Sequence, residues 1–307
     1  MKFGIMQGAD RDAPTVAGIT AMAKRAEAAG FDSLWMAHIR SLDAVSALTV
    51  AGIETSSIEL GTAVTPIYPH HPMALAQQAL TAAQACDGRF VLGIGVSHKI
   101  VVEGMLGMSY DKPAKYMRDY LGALTPLLNG EITNYEGEQF TVTGLQIDMP
   151  GVSAPSLIIA ALGPVMLRMA GALADGTNTW MVGPKTLESH IAPALATAAA
   201  DAGRPVPRII AGFPVVLTSN IEDAREKLRV GLEIYGQLPS YRAMLDREGV
   251  EGPEDLALIG DEKVLAEGIE RIRDAGVTDF NAAIMDTENG AFERTFEFLS
   301  DVAKQSA

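Results

Sequence analysis

Two histidines in this 307-residue chain stand directly behind apolar runs: His38 closes FDSLWMAH and His98 closes RFVLGIGVSH. An imidazole with an ordinary pKa of about 6.5 keeps both protonation states within reach of neutrality, so either ring suits proton transfer at an open strand end. Each also has a plainer use, His38 as a strand-end cap and His98 as a loop residue facing solvent. His70 and His71 lie between Pro69 and Pro72 at a helix start, where turn and capping roles account for them. The five histidines are scattered, with no H-x-x-x-H spacing and no adjacent carboxylate pair, so no metal is expected.

In VLGIGVSHK, Gly93 and Gly95 end an apolar strand in a small polar loop, which is what close approach of a ligand or another backbone requires. The dinucleotide fingerprint would need a third glycine where His98 stands, opening a helix. The pair therefore leaves two readings: a phosphate site of another kind, or tight packing inside a barrel strand.

The elements that must position these residues follow from the pattern of the whole chain. With 48% hydrophobic residues and a net charge of −14, the chain can bury a large core, and it repels polyanions, so nucleic acid and anionic membrane are disfavoured as partners. The single Cys86, in LTAAQACDG, reads as a buried small hydrophobe, and no apolar run reaches membrane-spanning length, so a cytoplasmic protein is expected. KFGIMQ, FDSLWMA, IELGTAVT, RFVLGIG, SLIIAAL, TNTWMV, RIIAGFPVVLT and DFNAAIM read as strands, each followed by a helical stretch. Pro14 suits the first turn of the first helix and Gly30 its C-cap. The helix after strand seven is read as IEDAREKLRVGLEIYG. Eight such units over residues 1–307 match a single closed (β/α)8 TIM barrel of the α/β class, with its active site at the carboxyl ends of the strands. Two stretches stand outside the pattern, a polar hairpin within 129–155 after strand four and a short helix within 237–258 after strand seven, and both can form lids or interfaces.

The strand ends are where chemistry is expected. Strand three ends in Ala63, Val64, Thr65 and Pro66, strand four in Gly95, Val96, Ser97 and His98, and strand five in Ala161, Leu162 and Gly163. A helix beginning on Pro164 presents free N–H groups and a positive dipole end, an anion site beside the loop after strand four. Trp35 and Trp180 are core plugs or substrate walls, and Met6, Met36 and Met181 sit where they can line an adaptable pocket.

The segments GTAVTPIYPHHPMALAQQALTAAQACDGRFVLGIGVSHK, VVEGMLGMSYDKPAKYMRDYL and AALGPVMLRMAGALADGTNTWMVGP resemble the bacterial luciferase-like superfamily, and more narrowly its branch that uses the deazaflavin coenzyme F420. The resemblance runs from strand one to about residue 190. It implies a bulge with a cis Ala63–Val64 peptide behind the cofactor ring, with Thr65 alongside. It also implies a phosphate site between Gly95, Val96, Ser97 and His98 on one wall and Ala161, Leu162, Gly163 and Pro164 on the other. His38 matches a position near the reacting face, although Ala37 stands where many relatives have the Asp of an Asp-His pair, and His98 is its rival as proton donor.

What the resemblance implies is an F420-dependent oxidoreductase moving a hydride to or from a small organic substrate, as a homodimer. In F420 a carbon replaces a flavin nitrogen, so the protein need only orient cofactor and substrate, exclude water and supply a proton. An FMN-dependent monooxygenase of the same fold is the alternative, and a noncatalytic flavin-binding protein a third reading. Substrate identity and the direction of transfer stay open, because substrate groups are expected from the two insertions.

Overall fold

A computed structural model describes residues 1–8, 15–39 and 41–306. Its strands β1 (Lys2–Gln7), β2 (Ser33–Met36), β3 (Glu59–Thr62), β4 (Phe90–Gly95), β5 (Ser156–Ala160), β6 (Gly176–Trp180), β7 (Arg208–Leu217) and β8 (Asp279–Ile284) lie parallel, each paired with the next. Pairing of β8 with β1 closes the barrel. Around it run α1 (Val16–Ala29), α2 (Ala44–Ile53), α3 (Pro72–Ala85), α4 (Pro113–Leu128), α5 (Pro164–Leu173), α6 (Ala192–Asp201), α7 (Glu262–Asp274) and α8 (Ala291–Ser306). Among the described residues no helix is long and apolar enough to cross a membrane.

Local chemistry sets the helix ends. The Thr15 hydroxyl accepts from Gly18 N–H, and Gly30, at φ 88°, returns its N–H to the Ala26 and Glu27 carbonyls. Ile19, Ala23 and Ala26 form the buried stripe between these caps. Pro14 lies outside the described residues. Cys86 is buried as expected.

The inner face of the barrel is stratified. At its amino end Arg208 pairs with Glu59 at 2.6 Å and with Asp279. Above them Trp35, Val91, Ile158 and Ile210 form a plug, and the Trp35 indole N–H donates to Ser33 Oγ at 2.9 Å. A Cβ at Gly61 would lie 2.3 Å from that indole, so the glycine is what admits the ring.

Three sequence expectations need correction. The third strand is not continuous: β3 stops at Thr62, and Thr65–Pro66 pairs separately with Ile94 and Gly95. The helix completing the seventh unit is α7, absent from the sequence reading, while Ile221–Gln237 and Pro239–Glu248 belong to a larger insertion. The signals for α7 were present: Asp261 caps Val264 N–H at 2.9 Å, and Leu265, Ile269 and Ile272 keep helical spacing. The hairpin of Thr133–Glu136 and Thr141–Leu145 lies against the outside of α4 and is no lid across the mouth. It follows α4, so the chain enters it from the barrel's amino end. Asp119, in the first half of α4, fastens its tip, accepting from the Tyr135 hydroxyl and the N–H groups of Glu138 and Gln139 at 3.2, 2.8 and 3.0 Å.

Candidate active site

Alternation along each strand and the pairing register put Met6, Ala63, Gly95, Ala160, Asn178, Trp180 and Asn281 on the inner face, above the Trp35 plug. Met6, Ala63, Ala160 and Trp180 are nevertheless partly exposed. Solvent therefore reaches down into a well at the carboxyl end, lined by the small residues Ala63, Gly95 and Ala160 together with Met6 and Trp180. Met36 points the other way into the layer under the helices, and Met181 packs in a satellite core with Val216, Leu228 and Leu245, so only Met6 of the three lines the well.

One wall is the break after β3. The Ala63–Val64 peptide is cis, as the resemblance implies. A Cβ at Gly93 would meet the Thr62 carbonyl at 1.9 Å, and one at Gly95 would meet Val64 Cγ2 at 2.6 Å. The two glycines of VLGIGVSHK are thus used first to let β3 and Val64 close on β4. Thr65 Oγ1 is buried beside them without a hydrogen-bond partner among the described residues.

The facing wall is different. A Cβ at Gly163 would meet nothing within 4 Å, and α5 starts on Pro164 with no side chain capping it. First-turn N–H groups left without a cap, with open space before them, suit an anion. Ala161 N–H is already committed to Thr177 Oγ1 at 3.2 Å, and the Leu162 carbonyl accepts from His190 Nε2 at 2.9 Å, so those two residues shape the turn through the backbone. Ser97 sits at φ 58° with its carbonyl accepting from the Tyr110 hydroxyl at 2.9 Å. A phosphate-bearing planar cofactor fits these features: an uncapped helix start, open space at Gly163, and a well lined in part by small residues next to both.

The structure gives the two candidate histidines different neighbours. His38 Nε2 is 3.5 Å from Asp43 Oδ2, its ring meets His70 edge-on at 5.8 Å, and His70 Nδ1 donates to the Pro66 carbonyl at 2.9 Å. Burial pushes the His38 pKa down against the pull of Asp43. His98 is likewise pushed down by burial, and its ring lies 5.7 Å from Tyr241. Tyr241 packs on Tyr235 at 5.1 Å, and Tyr235 on Trp180 at 6.1 Å. The insertion after β7 therefore spans from the β4 loop to the end of β6. Its far end is held by Glu248, which accepts from Thr186 N–H at 2.7 Å and Thr186 Oγ1 at 2.6 Å.

Sequence reasoning missed Asp43, Tyr241, Asn178 and Asn281. The asparagines had a signal, since period-two alternation in TNTW and DFNAAI places a polar residue inward in a strand buried on both faces. Both amide Nδ2 atoms are buried without partners among the described residues. Asp43 had a signal too, as an N-cap residue directly before the apolar run of α2, whereas the contact of Tyr241 with His98 is tertiary and had none.

The sequence profile of the luciferase-like monooxygenase family matches residues 1–279. The chain belongs to that family. Within it, the chain is 35% identical over 166 residues to the 5,10-methylenetetrahydromethanopterin reductase of Archaeoglobus fulgidus, a match covering 54% of this chain and 49% of the relative. The chain thus spans about half the length of this relative. This luciferase-like barrel superposes on an F420-dependent secondary alcohol dehydrogenase in complex with an F420-acetone adduct with a TM-score of 0.83, at 18% identity, covering 98% of this chain and 97% of the other. It also superposes on the oxygenating constituent of 3,6-diketocamphane monooxygenase from Pseudomonas putida, solved with FMN, with a TM-score of 0.78, at 17% identity, covering 98% and 96%. At those identities the likeness is one of fold.

Proposed function

We propose that this luciferase-like chain is an F420-dependent oxidoreductase moving a hydride between the deazaflavin and a small organic substrate. The observation that carries the reading is the pairing of the well with the uncapped, open α5 start at Gly163, since a flat ring with a phosphate tail needs both. When bound, the cofactor would supply a carbon that carries the hydride. Ala63, Val64 and Thr65 would back its ring, and the loop of Gly95, Val96, Ser97 and His98 would face its phosphate across the open turn at Gly163, which Ala161, Leu162 and Pro164 shape. His38 would hold or move the substrate proton, with His98 as the rival, and the Tyr241 helix would keep water out. The F420 dependence of an alcohol dehydrogenase of this fold supports that cofactor.

A second reading, an FMN-dependent monooxygenase, is favoured by the FMN-bound neighbour. Parallel titration of the purified protein with oxidised F420 and FMN, followed by oxygen-electrode turnover assays, separates the two. Tight F420 binding and turnover without oxygen uptake are expected; FMN retention with oxygen consumption overturns the proposal. The same reading takes residues 1–307 as one barrel domain, cytoplasmic and homodimeric, with early barrel helices at the interface. Val50 and Ile53 on α2 are 43% and 67% exposed and supply apolar surface for it. Sedimentation as a monomer at micromolar concentration would remove the dimer.

A further inference from the structure

The loop between β4 and α4 carries Ser97 and His98, and a column of aromatic rings runs from it to the outside of the molecule. Tyr110, whose hydroxyl donates to the Ser97 carbonyl, stacks on Tyr68 with centroids 5.6 Å apart and planes 30° apart. Tyr68 stacks closely on Tyr116 at 4.1 Å and 13°. Phe140, at the tip of the hairpin, closes the column edge-on against Tyr116 at 5.2 Å and against Tyr120 at 5.4 Å. The hairpin is itself clamped to α4 through Asp119. A feature that lies outside the barrel is thus connected ring by ring to the Ser97 turn.

Ser97 needs such support. Its φ of 58° is a left-handed backbone that a serine adopts only when its surroundings hold it. The Ser97–His98 peptide is planar and trans, so a bond that fixes its carbonyl also fixes its N–H in the opposite direction. Burial pushes the Tyr110 phenol up to about 12, so the hydroxyl keeps its proton and remains a donor throughout the working range of pH.

We propose that Tyr110 is a positioning residue that fixes the Ser97–His98 peptide, and that the hairpin buttresses it through Phe140, Tyr116 and Tyr68. As far as the ligand is concerned, this rests on the reading that this loop faces the cofactor phosphate. The hairpin insertion then holds the loop in its binding geometry before any ligand arrives.

The test begins with the ligand-free protein. Hydrogen exchange of amides 96–99, read by mass spectrometry, is compared between the parent chain, Tyr110→Phe and Phe140→Ala. Tyr110→Phe keeps the stack and loses one hydrogen bond, so exchange there should quicken by roughly 2- to 12-fold, the range one ordinary hydrogen bond represents. Phe140→Ala should quicken the same amides although it touches none of them, and Phe140→Tyr should restore the parent rate. Titration with F420 should show a higher Kd by a similar factor in Tyr110→Phe, with turnover at saturating cofactor preserved. Unchanged exchange at 96–99 in Tyr110→Phe overturns the positioning role. Quickened exchange in Tyr110→Phe with none in a folded Phe140→Ala overturns the buttress. If the exchange responds but the parent chain binds neither F420 nor FMN, the positioning role is upheld and the reading of the loop's ligand falls.

Discussion

The Asp43 carboxylate stands 3.5 Å from His38 Nε2 while also capping α2 through Ser46 N–H at 2.7 Å. Burial lowers the His38 pKa and so favours the neutral imidazole, and a neutral ring carries one N–H. The carboxylate favours that proton on Nε2, which leaves Nδ1, buried and without a partner among the described residues, as an acceptor. His38→Ala should bind cofactor normally and lose roughly 10² to 10⁴ in turnover. Asp43→Ser keeps a capping hydroxyl but withdraws the carboxylate, and should cost roughly tenfold in turnover with cofactor affinity unchanged. Steady-state kinetics beside a cofactor titration read both; a folded His38→Ala enzyme with parental turnover moves the role to His98.

Burial depresses the pKa of both His38 and His98, whereas in the unfolded chain each ring titrates at about 6.5. Between the folded and unfolded values the unfolded chain binds more protons, so stability rises with pH across that interval. The contribution is complete above about pH 6.5 and is lost as the pH falls below it. Urea midpoints measured from pH 5 to 8 should therefore fall on the acid side, and should fall less in His38→Gln and His98→Gln. A parent profile that is flat from 5 to 7 contradicts this.

Gly163 separates folding from binding. Its φ is −81° and a Cβ there meets nothing within 4 Å, so Gly163→Val should fold with a near-parental melting temperature. The added side chain would fill the space before the α5 N–H groups, and cofactor binding should be abolished. Ser97→Ala should weaken binding by about 0.5 to 3 kcal/mol, since it removes a single hydroxyl. Isothermal titration decides, and tight binding by the valine variant would contradict the site.

Glu248 anchors the helix that carries Tyr241, and Gly183 has no side chain because the Glu248 carboxylate occupies that space, 2.2 Å from where a Cβ would stand. Glu248→Ala leaves two donors of Thr186 without their acceptor and should cost about 1 to 3 kcal/mol of stability. Freed at that end, the helix should cover the well less often, raising the substrate KM while F420 affinity holds. A substrate KM equal to the parent's would show that the helix does not cover the site.

Much of this architecture was legible from residue order alone, for reasons that are local. Strands buried on both faces read as apolar runs, Gly30 marks a left-handed helix end, and Pro164 after Gly163 marks a helix start with nothing to cap it. Asp261, with Leu265, Ile269 and Ile272 behind it, marked α7 in the same way, although the helix was not assigned. Side-chain partners far apart in sequence obey no such rule. Nothing in VLGIGVSHK tells whether Gly95 makes room for a phosphate or for Val64, because that depends on how closely two strands approach. Likewise the hairpin and the helix Pro239–Glu248 are both polar insertions on paper. One follows a helix and lies along the outside, whereas the other follows β7 at the open end of the barrel, so that Tyr241 meets His98, 143 positions before it, only once the barrel has closed.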